Sequence, residues 1–153
     1  MAYDLIALPN ATQILNKILL GNCISGFTTG DVWSLHLLEI DYHITFHEMY
    51  SKQEDIINQA LRNTKENFLD CVDPEGVAWA TILASITRQK IISASIEIDS
   101  SLNLAFEGDI DLLIKTDTDT VDWYWSIGSE YLDPYTSQAE LACFDKGEIS
   151  RWQ

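Results

Sequence analysis

Basic residues are scarce in this chain of 153 residues. Lys and Arg together number nine against 24 Asp and Glu, which gives a net charge of −15. Surfaces that bind nucleic acids or anionic membranes need clustered Lys and Arg to meet the phosphates. The sequence has no such cluster. We therefore expect no direct contact with nucleic acid or membranes, and a preference for basic partners.

Cysteine is also rare, and no pair has the spacing that sulfur chemistry uses. The three cysteines, Cys23, Cys71 and Cys143, are widely separated and form no CxxC motif. An odd number at such spacing argues against a disulfide framework and a zinc knuckle. We interpret each as a small apolar residue in a protein of a reducing compartment.

No apolar run approaches the roughly 20 residues that span a bilayer. The first ten residues lack the basic region and long apolar core of a signal peptide. These two absences predict a cytoplasmic protein without a membrane anchor.

Motifs for catalysis and cofactor binding are missing as well. The sequence contains no P-loop, no GxGxxG and no GxSxG. We expect no enzyme activity, no catalytic residues and no cofactor. The catalytic alternative is a small hydrolase with a pocket between the two halves of the chain. It would need His36 or His43 beside Asp residues.

The stretch 90–128 alternates apolar and polar residues in three segments, which is the pattern of antiparallel strands with one buried face. The apolar positions are Leu102, Leu104 and Phe106, then Ile110, Leu112 and Ile114, then Val121, Trp123, Trp125 and Ile127. By the same alternation Asp109, Asp111, Asp122 and Tyr124 fall on the solvent face.

Three helices are predicted before this stretch. Asn10 is the expected N-cap of the first helix, which Gly21 terminates. Ser51 and Glu54 form a capping-box pattern that opens a helix to about residue 67. Asp73 followed by Pro74 predicts a third helix, with a buried strand over residues 77–83 as the alternative.

The two halves resemble each other at a shift of 67 residues, over residues 10–47 and 77–115. Leu35 and Leu37 then align with Leu102 and Leu104, and one inserted residue near Gly108 aligns the strand after them. The sequence therefore predicts a single α+β domain with a duplicated unit of one helix and an antiparallel sheet, the helices packed on the sheet. The C-terminal segments 141–144 and 149–152 predict a short edge hairpin.

Acidic residues crowd the second half. DTDTVD at 117–122 resembles part of a calcium loop, but Asp122 and Gly128 stand where an EF-hand needs Gly and Glu. Two readings remain: a solvated polar face, or a surface that mimics nucleic-acid phosphates and binds Lys and Arg. Tyrosines among the carboxylates are typical of an interface. The predicted contact residues are Asp109, Asp111, Asp117, Asp119, Asp122, Tyr124, Glu130 and Tyr131.

The histidines do not predict a metal site. His43 and His47 share a strand face with Asp41, but i and i+4 on a strand are about 13 Å apart. HEMYS also departs from HExxH. Structural histidines are the simpler interpretation.

The segment 77–128 carries a family resemblance, through the apolar helix end ILASI, the strand KIISASIEID, LNLAFEG, DIDLLI and a last strand DWYWSIG. It resembles small bacterial immunity proteins of polymorphic and contact-dependent growth-inhibition toxin systems. The resemblance implies tight binding of one cognate toxin domain, often a nuclease, and no catalytic residues.

The function that we expect is therefore a non-catalytic immunity protein that neutralises a basic toxin domain through an acidic, Tyr-containing surface. A structural or oligomeric interaction module, such as a homodimer, is the other alternative. An exposed edge strand near the C-terminus, or an apolar patch with Trp152, would favour that module.

Overall fold

The computed structural model describes residues 3–63, 73–119, 121–129 and 133–153. The three helices are α1 (Leu8–Leu19), α2 (Glu54–Arg62) and α3 (Pro74–Ile86). The strands are β1 (Tyr3–Leu5), β2 (Ile24–Thr28), β3 (Trp33–Leu37), β4 (His43–Phe46), β5 (Met49–Tyr50), β6 (Ile91–Ile96), β7 (Leu102–Phe106), β8 (Asp111–Ile114), β9 (Trp123–Gly128), β10 (Ala139–Phe144) and β11 (Glu148–Trp152). None of the described helices combines the length and apolarity that a membrane-spanning helix requires.

The strands form two antiparallel sheets, and the predicted α+β class is confirmed. The seven-stranded sheet has the order β1-β11-β10-β9-β4-β3-β2, and the four-stranded sheet has the order β5-β8-β7-β6. The alternation in the sequence sets the buried face: Leu102, Leu104 and Leu112 are fully buried in one core with Trp125 and Ile127. The C-terminal hairpin exists, but β1 pairs with β11, so β1 rather than β11 is the edge strand.

Each half contributes a helix followed by three strands, α1-β2-β3-β4 and α3-β6-β7-β8. The two units meet where each helix leads into its first strand, and Cys23 bridges Lys90 there. The helices cross over at this junction, because α1 contacts β6 and α3 contacts β2. Ala11, Leu15 and Leu19 are the residues that α1 buries. The two units therefore pack reciprocally, because each helix lies against the first strand of the other unit.

The shift of 67 residues relates the first strands of the two units, β2 and β6. It does not relate the second strands, β3 and β7. Phe27 pairs with Leu35 in the first unit, and the equivalent Ala94 pairs with Leu104 in the second. Leu35 therefore corresponds to Leu104, not to Leu102 as the sequence alignment predicts. The turn between β6 and β7 is two residues longer, and a two-residue error keeps the same strand face, so the sequence pattern did not reveal it.

Two predicted helix starts are wrong and one is confirmed. Helix α1 begins at Leu8, before Asn10, because Pro9 fits the first turn. The Ser51–Glu54 capping box does not form, since Ser51 Oγ donates to Gln53 and α2 begins at Glu54 without a side-chain cap. For the third helix, Asp73 accepts a hydrogen bond from the Glu75 amide (3.1 Å), as an N-cap should.

A candidate acidic interaction surface

The predicted contact residues separate into two groups at opposite ends of the four-stranded sheet. Asp109 lies in the β7–β8 turn and Asp111 begins β8, whereas Asp117 and Asp119 follow the other end of that strand. Asp122 directly precedes β9. Glu130 and Tyr131 lie outside the described residues. Among the described members of the set, Asp117, Asp119 and Asp122 therefore lie at one end of the sheet, and Asp109 and Asp111 lie at the other.

That end is built from loops that are joined by hydrogen bonds. Thr116 Oγ1 donates to the Asp99 carbonyl at 2.7 Å, and Ser100 Oγ donates to the Gly147 carbonyl at 2.7 Å. The Asp145 amide donates to the Asp122 carbonyl at 3.0 Å. These contacts connect the β6–β7 turn, the segment after β8, the segment before β9 and the β10–β11 turn into one continuous surface.

We call this end the acidic loop surface and define it by its carboxylates: Glu48, Asp99, Asp117, Asp119, Asp122, Asp133 and Asp145. Lys115 and Lys146 are the cations in the same loops. Lys115 pairs with Asp117 (3.3 Å) and Glu48 (3.7 Å). Burial alone would lower the pKa of Lys115, but the hydrogen bond and charge of Asp117 and the charge of Glu48 raise it. The surface therefore keeps a strong net negative charge.

Tyr135 stands in the middle of these carboxylates, and sequence reasoning did not select it. Tyr135 is 48% exposed, and its ring packs on Phe144 with 5.0 Å between ring centroids. Its hydroxyl lies 3.4 Å from the Asp122 carbonyl. Burial, followed by the charges of Asp122, Asp145 and Asp133, raises the pKa of Tyr135. An aromatic side chain that packs on a neighbouring ring and has three carboxylates nearby is a suitable anchor for a cationic partner.

Residues 133–138 reach this position because the N-terminal strand holds them. The Tyr3 hydroxyl lies within hydrogen-bond distance of the Pro134 carbonyl (2.9 Å) and the Ser137 carbonyl (3.0 Å). It also accepts a hydrogen bond from the Ala139 amide at 3.0 Å. The Asp133 carboxylate accepts from the Tyr135 amide (2.7 Å), which is an Asx turn. The sequence DPY at residues 133–135 could have predicted this turn, because Asp followed by Pro is typical of turns.

Tyr124 is partly buried against the main core and does not lie on the solvent face that the alternation predicts. Trp125 pairs with Cys143 and Trp123 with Phe144, so Tyr124 is an extra residue in β9. Such a bulge exchanges the faces on either side of it. Trp123 therefore packs with Phe144 in a second small cluster, and Tyr124 packs against the main core. The face predicted for Tyr124 is therefore wrong, while its role as a contact residue stays a prediction.

The three histidines lie towards the two ends of β4. His36 and His43 are in ring contact at one end (4.6 Å between centroids), and His47 lies 4.4 Å from Trp123 at the other. Burial lowers the pKa of His47, although the charges of Asp122, Asp133 and Glu48 act to raise it. Among the described residues, no three His, Cys, Asp or Glu side chains are placed to hold a metal ion.

Several cavities lie against the described residues, and the two beside α1 have no histidine in their lining. These two, of about 580 and 410 Å³, share Ile14 and Arg151 as lining residues. Two others, of about 400 and 230 Å³, also have no histidine in their lining. The pocket that the catalytic alternative requires, with His36 or His43 beside Asp residues, is not one of them.

The chain was compared with protein-family models, curated proteins and solved structures, and nothing matches in any of the three.

Proposed function

We propose that this protein is a non-catalytic immunity protein that binds a cognate basic toxin domain through the acidic loop surface. The observation that carries the proposal is Tyr135, half exposed and surrounded by Asp122, Asp133 and Asp145. The resemblance of residues 77–128 to immunity proteins agrees with it.

The proposed mechanism is occlusion by charge mimicry. A toxin that cleaves RNA or DNA must present Lys and Arg to the phosphates of its substrate. The carboxylates of the acidic loop surface take the place of those phosphates, and their field accelerates encounter. Tyr135 then packs into the toxin surface and excludes water, which strengthens the neighbouring charge pairs.

The opposite end of the molecule is a weaker candidate for the same partner. Asp111 there pairs with Lys52 at 3.7 Å, so part of its charge is already neutralised. Arg88 and Lys90 lie on the same side, at the junction of the two units. A basic toxin approaching this end would meet the cations Lys52, Arg88 and Lys90, against Lys115 and Lys146 on the acidic loop surface. Asp109 and Asp111 therefore lie outside the proposed contact.

The direct test is to co-purify the tagged protein with the product of the adjacent gene at low and high salt. We expect a stoichiometric complex with a basic protein that is toxic when expressed alone and harmless when co-expressed. Salt should weaken the complex because it screens the charge pairs. Absence of a complex with any toxic neighbour, and unimpaired growth of cells lacking the protein, would contradict the proposal.

Charge-matched variants locate the contact. The triple variant Asp119→Asn, Asp122→Asn, Asp145→Asn removes three charges from the acidic loop surface. The control triple variant Asp41→Asn, Asp55→Asn, Asp109→Asn removes three exposed charges elsewhere. We expect the first to slow association at least tenfold and the control to change it little. Equal effects of the two would place the contact outside the acidic loop surface. Tyr135→Ala should cost about 2 kcal/mol of binding free energy.

A further inference from the structure

A cleft lies between helix α1 and the end of strand β11. The two cavities of about 580 and 410 Å³ form it, and they share Ile14 of α1 and Arg151 of β11 in their linings. Each has the volume of a small-molecule site, which in proteins measures roughly 300 to 1,000 Å³. We call this space the α1 cleft and define it by six of its lining residues: Ile14, Lys17, Ile18, Ile40, Tyr42 and Arg151.

The helical wall of the α1 cleft follows from the spacing of residues on α1. The helix buries the stripe that contains Leu15, and Ile14 and Ile18 form the neighbouring stripe, four residues apart. Both isoleucines are half-buried and pack against the main core. Lys17 lies beside them, and none of the 12 residues of α1 is acidic. The helix therefore contributes apolar surface and one cation.

The opposite wall carries Arg151 at the point where the core ends. Ile149, two residues earlier in β11, points to the same side of the sheet and is buried. The Arg151 side chain is 49% exposed, and its Nη2 donates to the Glu140 carboxylate. Asp4, the partner of Arg151 across β1 and β11, accepts a hydrogen bond from Gln153 Nε2 (2.6 Å). Both carboxylates at this wall are therefore already bonded within the protein.

The α1 cleft has hydrogen-bond donors in excess, although the protein as a whole is acidic. Among the described residues no carboxylate forms an ion pair with Lys17. The Arg151 guanidinium has five N–H donors, and Glu140 engages its Nη2 group. Its planar fork binds a carboxylate through two parallel hydrogen bonds. The groups that line the cleft are therefore matched to an anionic head group between Lys17 and Arg151.

The rest of the same lining is apolar. Ile18, Ile40 and Tyr42 line the 410 Å³ cavity together with the two cations. All three are half-buried and pack against the main core, which supports them from behind. A hydrocarbon chain lying over them would remove apolar area from water on both sides of the contact. The cleft therefore pairs a cationic end with an apolar surface.

We propose that the α1 cleft binds a small apolar carboxylate of the class of medium-chain fatty acids. The carboxylate lies between Lys17 and Arg151, and the hydrocarbon chain covers the three apolar residues. Asp145 and the acidic loop surface lie at the β10–β11 turn, whereas Arg151 lies at the other end of β11. The two sites are separate, so this proposal does not rest on the toxin proposal.

The net charge of the chain makes the charge of the ligand informative. A protein with a net charge of −15 attracts cations and repels anions over long distances. A preference for an anion over a cation with the same apolar chain therefore reports the local donors of the α1 cleft. Decanoate, decanol and decylammonium have the same chain length and differ in their head groups, so they separate the two effects.

The experiment titrates the full chain with each of these three compounds, using isothermal calorimetry and two-dimensional amide NMR spectra. We expect decanoate to bind saturably and about tenfold more tightly than decanol or decylammonium, because only its head group accepts from both cations. Amide signals of α1 and β11 should shift. Absence of saturable decanoate binding, equal or tighter binding of decylammonium, or shifts confined to residues outside the α1 cleft would overturn the proposal.

Two matched pairs of variants locate the ligand. Lys17→Gln removes a cation from the cleft, and Lys90→Gln removes an exposed cation from the junction of the two units. Ile14→Trp fills the space that the two cavities share, and Ile56→Trp adds the same side chain on α2, where Ile56 is 69% exposed.

We expect Lys17→Gln to weaken decanoate binding about threefold to tenfold and to leave decanol binding unchanged. Ile14→Trp should abolish the binding of both compounds, and the two control variants should match the unmodified chain. Equal effects within the lysine pair would place the carboxylate elsewhere and overturn the proposal, and that pair decides the matter alone if Ile14→Trp does not fold. Unchanged decanoate binding in a folded Ile14→Trp would overturn it as well.

Discussion

Gly21 and Arg88 occupy equivalent positions in the two halves and share the same backbone conformation. They are 67 residues apart, and their φ angles are +80° and +68°. The Gly21 amide donates to the Ile91 carbonyl (2.9 Å), and the Arg88 amide donates to the Ile24 carbonyl (2.6 Å). Ile24 and Ile91 are themselves equivalent, so the two hydrogen bonds are reciprocal. The junction requires a positive φ twice, and the sequence supplies glycine only once.

Arg88→Gly should stabilise the protein, and Gly21→Ala should destabilise it. A positive φ destabilises a residue with a Cβ by about 1–2 kcal/mol. Glycine avoids this strain, but its larger unfolded-state entropy offsets part of the gain in folding free energy. We expect a gain of up to about 1 kcal/mol from the first change and a loss of about 1 kcal/mol from the second. Denaturant unfolding monitored by Trp fluorescence measures both. Loss of stability in Arg88→Gly would show that the Arg88 side chain itself holds the junction.

Gly128→Ala should destabilise the seven-stranded sheet. A Cβ at Gly128 would lie 3.1 Å from the Ala139 Cα and 3.3 Å from the Gln138 carbonyl oxygen, both of which are backbone atoms that cannot rotate away. We expect a loss of about 1–3 kcal/mol. Gly26→Ala in β2 is the control, since nothing lies within 4 Å of a Cβ there. Thermal unfolding of both variants separates the steric effect from the general cost of removing a glycine.

Stability should fall as the pH drops below the ordinary histidine pKa. Burial lowers the pKa of His43 and of His47 in the folded protein, so the unfolded chain binds protons first. The free energy of unfolding therefore reaches its full value above about pH 6.5 and decreases as the pH falls towards the folded pKa values. Urea titrations across this range should show the decrease. The double variant His43→Gln, His47→Gln should flatten it, and an unchanged slope would assign it to other groups.

The carboxylates of the acidic loop surface should repel one another in the free protein. The variant Asp119→Asn, Asp122→Asn, Asp145→Asn should raise the Tm at low salt, and high salt should remove the difference because it screens the same repulsion. The control variant Asp41→Asn, Asp55→Asn, Asp109→Asn should raise the Tm less, since those side chains are dispersed. A triple variant of the surface that melts lower at low salt would show that these carboxylates support the loops.

The site was only partly predictable because its parts come from distant positions in the chain. Asp117, Asp119 and Asp122 are close in sequence, and their polar character predicted that they lie together in exposed loops. Tyr135 joins them through a loop held by Tyr3, whose hydroxyl contacts a carbonyl 131 residues away. No pattern within a strand or turn reports such a contact. Tyr124 was misplaced because a bulge depends on how the neighbouring strand pairs.

The sequence by itself determined the elements and their buried faces. Alternation placed Leu102, Leu104 and Leu112 in the core, Asp73 capped α3, and the shared order of helix and strands was visible in both halves. These features depend on side-chain periodicity and on hydrogen bonds within a few residues. The tertiary structure decided which edges pair, where β9 bulges, and that β1 and residues 133–138 complete the acidic loop surface. Those outcomes depend on long-range packing, in which strands with similar patterns compete for the same neighbours.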